Sequence, residues 1–245
     1  MSISHLFNDI DSFFFPTACY LCSTPVSRRR QLLLCASCRR EFIPTPGACC
    51  LLCRAERRDS EGFTAGRDCS VRAHANFRVL AAVQMVAPAD RLVHALKFHD
   101  RPEMGVTMAL LMARRLASAQ ARNWDLVAPL PLHRTRERER GYNQGLILAE
   151  PLARLLKAEL EPRLLTRTRS TARQADLDHR ARAANVAGAF RTRERRQAAL
   201  ASRIGERRVL LVDDVATTGH TLVAAVSAVL EGGARSAGAV VFALA

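Results

Sequence analysis

The chain has 245 residues, 49% of them hydrophobic and 24% charged, which suffices for one α/β domain of ordinary size with a small appendage. Its formal net charge is +14, from 37 Lys and Arg against 23 Asp and Glu, and only Lys97 and Lys157 are lysine. Such an excess of guanidinium favours anionic partners, nucleic acid or a polyphosphorylated small molecule, although a solvated arginine-rich surface gives the same balance. With one Trp and two Tyr, a dedicated aromatic binder of single strands is disfavoured.

No run reaches the roughly 18 apolar residues of a membrane span. The segment Met1–Pro16 lacks a positive start and carries Asn8, Asp9 and Asp11, so it does not read as a signal peptide. Leu6, Ile10, Phe13 and Phe14 follow helical spacing and predict a short amphipathic helix packed on the body. A cytoplasmic location is the expectation.

All eight cysteines fall between Cys19 and Cys69. Cys19-x2-Cys22 and Cys35-x2-Cys38 are two knuckles that place four thiolates for tetrahedral structural zinc. Disulfides are the lesser alternative in a reducing compartment. A second set is incomplete: Cys50-x2-Cys53 is a third knuckle with Cys49 beside it, and Cys69 follows with Gly66 where its knuckle partner would stand. Cys49 and His74 are the candidates for a fourth ligand; a decayed ribbon, with no second ion, is the alternative. Arg28–Arg30 and Arg39–Arg40 add positive charge near the first set. The head is taken as residues 1–75 and the body as 76–245.

From Phe77 the pattern changes. Phe77–Val86 reads as a strand, and Pro88 opens a helix carrying Leu92, Val93 and Leu96. A helix over Glu103–Gln120 shows Val106, Leu110, Leu111 and Leu116 at helical spacing. Asp125–Leu130 is a short strand, and Pro131–Arg140 reads as a loop. Leu146 to about Leu160 is a helix that Pro151 kinks or restarts. The basic stretch Arg191–Arg208 is a solvated connection. Then come a buried strand Arg208–Val212, a loop Asp213–Gly219, a helix Thr221–Glu231 stopped by Gly232-Gly233, and a strand Ala239–Leu244. Strands alternating with helices predict a mostly parallel, doubly wound sheet.

The segment Val209–Thr221 concentrates the chemistry. A buried strand carries Asp213 and Asp214 to the carboxyl edge of the sheet, where open α/β folds bind ligands. Adjacent residues of a strand point to opposite sides, so the two acids serve different purposes. Ala216, Thr217, Thr218, Gly219, His220 and Thr221 then supply small residues, hydroxyls and N–H groups at a helix N-terminus, which suits a phosphate. Carboxylates for sugar hydroxyls beside donors for a phosphate describe a ribose-5-phosphate cradle. A Walker-B strand is the competitor, but the chain has no Gly-x4-Gly-Lys-Ser/Thr loop. A receiver-type acidic pair fits the following Thr-Thr-Gly-His-Thr poorly.

This segment resembles the 5-phosphoribosyl-1-diphosphate (PRPP) signature of type I phosphoribosyltransferases, and its setting resembles the competence-protein ComF family, in which Cys-x2-Cys knuckles precede such a domain. Further matching stretches are Leu96-Lys97-Phe98, Pro129-Leu-Pro-Leu-His-Arg to Arg140-Gly-Tyr-Asn-Gln144, and Leu165-x-Arg167-x-Arg169 through Gln174, Leu177 and Arg180 to Asn185-Val-x-Gly188-Ala-Phe190. The resemblance implies a type I phosphoribosyltransferase-like α/β fold, a mostly parallel sheet flanked by helices, with a small N-terminal cysteine-rich zinc-binding module. It implies that Asp213 and Asp214 are catalytic and meet the ribose hydroxyls, and that Val215, Ala216, Thr217, Thr218, Gly219, His220 and Thr221 bind PRPP, with Mg²⁺ at the diphosphate. Arg134, Arg136 and Arg140 are diphosphate candidates, and Arg169, Gln174 and Arg180 occupy the place of a closing hood. Lys97 either reaches the diphosphate or caps its helix. His133 and His220 read as surface or capping residues before acid–base ones.

Two functions are compatible with these expectations. One is transfer of phosphoribosyl from PRPP to an acceptor. The other, also implied by the resemblance, is a non-catalytic adaptor of DNA uptake that engages single-stranded DNA and recombination or uptake proteins. They need not exclude each other.

Overall fold

The structure is a computed structural model that describes residues 17–26, 33–45, 77–98, 101–119, 121, 123–132, 134–167, 189–192, 204–217 and 219–245. The N-terminal helix expectation, the second cysteine set with Cys49, Cys50, Cys53, Cys69 and His74, Arg28–Arg30, and the 75/76 boundary lie outside the described residues. So do His133, Arg169, Gln174, Arg180, Thr218 and most of the basic connection.

Strands β1 (Thr17–Ala18) and β2 (Pro25–Val26) pair antiparallel, and a five-residue helix α1 (Ala36–Arg40) follows. The body adds β3 (Phe77–Gln84), α2 (Ala89–Phe98), α3 (Met104–Ser118), β4 (Leu126–Pro129), α4 (Arg134–Arg140), α5 (Gln144–Leu156), β5 (Glu159–Leu160), β6 (Leu165–Arg167), β7 (Phe190–Thr192), β8 (Arg208–Ala216), α6 (His220–Glu231) and β9 (Ser236–Leu244).

Five strands form one sheet in the order β3-β9-β8-β4-β5, and every adjacent pair is parallel. A parallel sheet needs cover on both faces, and the middle of each long strand provides it by alternation, which breaks down toward the carboxyl ends of β3, β8 and β9. Leu210 and Val212 of β8 and Val240 and Phe242 of β9 join one core with Leu92 and Leu96 of α2, Met108 and Met112 of α3 and Leu148 and Leu152 of α5. Val209, Leu211, Ala239 and Val241 face the other core, with Leu222, Val226 and Val229 of α6 and Leu165 and Phe190 of a separate β6–β7 hairpin. The doubly wound expectation holds.

α3 and α5 meet closely. A Cβ on Gly105 would lie 2.7 Å from the carbonyl oxygen of Ile147 and 2.6 Å from its Cγ2, so only glycine fits there. That carbonyl is the one whose helical donor Pro151 lacks, four residues on. α5 runs through Pro151.

The described head joins the first core rather than standing apart. Cys19, Leu34, Cys38 and Phe42 belong to the same buried cluster as α2 and α3. The Leu33 N–H donates to Thr107 Oγ1 on α3 at 3.2 Å, and Phe42 meets Phe242 edge-on with centroids 6.2 Å apart. Residues 43–45 run along β3: the Gln84 N–H donates to the Ile43 carbonyl at 2.9 Å, Thr45 Oγ1 donates to the Ala81 carbonyl, and Pro44 bridges Val83 antiparallel.

Three element expectations need correction. Arg134–Arg140 is a helix and not a loop. It lacks any apolar residue to give a periodic signal, and residues 135–139 are all exposed. The helix expected to reach Leu160 ends at Leu156, because Lys157 takes a left-handed φ of 55° and Glu159–Leu160 pairs with β4 instead. β8 also runs further than expected, to Ala216, which shortens the loop before α6 to residues 217–219.

Candidate functional site

β8 ends at the carboxyl edge with its two acids on opposite faces. Asp214 shares the face of Leu210 and Val212 and is buried; Lys97, in the last turn of α2, places Nζ 2.6 Å from its Oδ2. This is a charge contact more than an aligned hydrogen bond, since Oδ2 lacks a partner of hydrogen-bond geometry. The lysine is thus engaged with a buried acid at the end of β8. An uncompensated carboxylate at that depth would be costly, so the pair explains how the acid is tolerated there.

Asp213 lies on the other face. Part of the residue reaches the surface, yet its carboxyl is desolvated. Burial first, and the neighbouring Asp214 charge second, push that carboxyl well above the ordinary carboxylate range, against the pull of Lys97 and of the Asp214 N–H, which donates to Asp213 Oδ1 at 2.9 Å. Asp213 also acts electrostatically on Arg167 of β6, as does Arg136 of α4. Burial pushes the Arg167 guanidinium below its usual value, Arg136 pushes the same way, and Asp213 opposes both. Arg167 is held over the Phe190 ring, 5.6 Å from its centroid. Two arginines thus converge on the Asp213 side of the edge.

The sequence motifs do not single out Arg167 as a site residue, although it stands in the Leu165-x-Arg167-x-Arg169 stretch. The signal for it was Leu165-x-Arg167: alternation puts an arginine on the same strand face as a buried leucine.

The end of β8 leads into α6. Val215 is half-buried and Ala216 buried at the end of β8; Thr217 is exposed. Gly219 is the N-cap of α6 with φ of 75°, a left-handed conformation that favours glycine, and it brings no capping side chain. The first turn of α6, with buried His220 and half-buried Thr221, therefore presents the positive end of the helix at this edge.

The remaining arginine candidates separate. Arg134 opens α4, whereas Arg140 at its end donates from Nη1 to Gln144 Oε1 at 2.6 Å and sits over the Phe98 ring. Asn143 caps α5, accepting from the Gly145 N–H at 2.8 Å and donating Nδ2 to the Leu130 carbonyl at 3.0 Å. Tyr142 donates its hydroxyl to the Leu96 carbonyl, which ties the α4–α5 junction to the last turn of α2.

Cys19, Cys22, Cys35 and Cys38 converge, with all four Sγ atoms within 4.8 Å of one another and Cys22 to Cys35 at 3.6 Å. Four thiolates about 2.3 Å from one ion lie about 3.8 Å apart, so the cluster fits tetrahedral zinc. Contacts with Thr24 bring the Cys22 thiol down to about 6. Burial alone would raise Cys19, but N–H groups of Cys35, Cys22 and Leu21 pull it down; burial raises Cys38.

The model of the phosphoribosyl transferase domain family matches residues 142–245, which include Asp213, Asp214 and α6. The body of the chain is therefore a domain of the phosphoribosyltransferase type. The DNA utilization protein YhgH of Escherichia coli strain K12 is 31% identical over 227 residues, covering 90% of this chain and 94% of that protein. Competence protein F of Haemophilus influenzae is 31% identical over 141 residues, 56% of this chain and 59% of its own length. The chain belongs to the ComF family. A solved glutamine PRPP amidotransferase from B. subtilis is 17% identical with a TM-score of 0.38, covering 60% of this chain and 30% of that one, which adds nothing to the fold described.

Proposed function

We propose that the chain binds PRPP with Mg²⁺ at the carboxyl edge of β8 and serves DNA uptake from the cytoplasmic side. The observation that carries this reading is the pair of adjacent acids at the end of β8, followed by the N-terminus of α6. Asp213 and Asp214 would hold the ribose hydroxyls, and residues 217–221 the 5-phosphate. Arg167, held over Phe190, and the exposed Arg136 are suited to the diphosphate as donors. Mg²⁺, a hard cation that takes oxygen ligands, would supply charge to the leaving diphosphate when bound, and a carboxylate beside the edge suits it. The DNA-uptake role draws on the names of the relatives, one a DNA utilization protein and another a competence protein.

The net charge of +14 favours a second reading, an adaptor that binds single-stranded DNA on a retained PRPP fold. The deciding experiment is calorimetry with PRPP and Mg²⁺, followed by assay of diphosphate release. Heat without diphosphate supports the adaptor; no heat at millimolar ligand overturns the PRPP reading. Single-strand affinity should fall steeply with salt if the basic surface carries it.

The cysteine head, taken as residues 1–75 ahead of a body of 76–245, would hold structural zinc at Cys19, Cys22, Cys35 and Cys38. Elemental analysis should find one to two zinc equivalents, the second ion depending on Cys50, Cys53 and Cys69; a metal-free protein would refute the zinc.

A further inference from the structure

Phe98 ends α2 beside Lys97 and is 67% exposed, whereas Phe42, Phe190 and Phe242 are buried. Single exposed apolar residues are ordinary, and Ile43, Val86 and Leu155 are also exposed. Phe98 differs in its company. The His94 ring, one helical turn earlier, lies 4.8 Å from it at 42°, and the Arg140 guanidinium carbon stands 5.8 Å from its centroid. Arg140 is itself fixed by Gln144, and Tyr142 locks the α4–α5 junction to Leu96 two residues before the ring. The ring thus carries a guanidinium over it and a tilted imidazole beside it, and most of the residue stays exposed.

We propose that this cluster is a stacking platform for a nucleobase. An aliphatic partner would use the ring alone. A flat base attached to a phosphate uses both the ring and the cation, since every base offers a π-face and the guanidinium meets the phosphate. The platform extends beyond the sugar-phosphate edge: Lys97 turns toward Asp214, whereas Phe98, about 100° further round the helix, turns toward Arg140. The base has two sources, a mononucleotide or a single strand.

Three probes separate the outcomes: an oligodeoxyadenylate, a strand of equal length with abasic sites, and adenosine monophosphate. Phe98→Leu should weaken the oligodeoxyadenylate about tenfold and leave the abasic strand unchanged. Phe98→Trp keeps the ring, should restore affinity, and should show fluorescence quenching on stacking. Quenching by the strand alone or by the mononucleotide alone supports the platform and identifies its source. Unchanged affinity in Phe98→Leu, an equal loss for the abasic strand, or unmoved Phe98→Trp fluorescence overturns it. PRPP titrations of the same variants should match the unaltered chain. A chain that fails to bind PRPP yet loses base affinity in Phe98→Leu would reject the PRPP reading and keep this one.

Discussion

The two ends of β8 have opposite electrostatics. At its start, the Asp125 carboxylate accepts from the Arg208 N–H at 2.8 Å, from Nε at 3.0 Å and from Nη2 at 2.6 Å, and Arg207 pairs with Glu159 at 2.6 Å. The Arg208 hydrogen bonds hold the Asp125 carboxyl at about 2. At the far end, two acids on neighbouring residues share one lysine, and burial drives Asp213 the other way. One strand is fastened at its amino end and loaded with poorly compensated charge at its carboxyl end. The lesson is a division of labour: ion pairs that stabilise sit where no ligand is expected, and excess negative charge sits where cations and sugar hydroxyls can relieve it.

The comparison breaks most sharply if the loaded end proves inert. Replacing both acids, Asp213→Asn with Asp214→Asn, should remove the heat of PRPP and Mg²⁺ binding while a cooperative thermal transition remains; retained heat would separate the ligand from this edge. Next in size, Lys97→Met strands the Asp214 charge and should cost about 2–3 kcal/mol in urea unfolding. Adding Asp214→Asn to that variant should return most of the loss, and a fully additive cycle would show that the two are uncoupled. The smallest effect belongs to the fastened end, where Asp125→Asn should cost about 1 kcal/mol, as expected of a half-exposed pair. Asp125 titrates at about 2 in the fold and near 3.9 in an unfolded chain. Its stabilisation is therefore complete above about pH 4 and lost as pH falls through about 2. Acid unfolding profiles should show that limb flattened in Asp125→Asn.

Much of this was legible in the residues. The apolar run Val209–Val212 announced a strand covered on both faces, and the spacing of Cys19, Cys22, Cys35 and Cys38 announced their convergence. Alternation predicted opposite sides for Asp213 and Asp214, and the two carboxyls nevertheless act on one another. What stayed hidden depends on contacts distant in sequence. α4 has no apolar stripe, so nothing in Arg134–Arg140 distinguished a helix from a charged turn. Leu156 and Leu160 stand four apart and mimic one helical face, while the turn at Lys157 uses no glycine to announce itself. The fate of Lys97 required knowing that the end of α2 reaches the end of β8. Arg167 needed the hairpin that brings β6 against the Asp213 side.

The strip 43–45 along β3 has a consequence for handling the protein in pieces. β3 and β5 are the outer strands of the sheet, and β5 has only two residues, too short to recruit a neighbour. β3 has eight, and the backbone of Ile43 and Pro44 with the Thr45 hydroxyl shields part of its outer rim. A chain begun at residue 76 would bare that rim as a template for another copy. Its expected failure is self-association, visible as light scattering that grows with concentration even while the sheet remains folded. The cysteine head would then act as a stopper against aggregation, whatever else it binds.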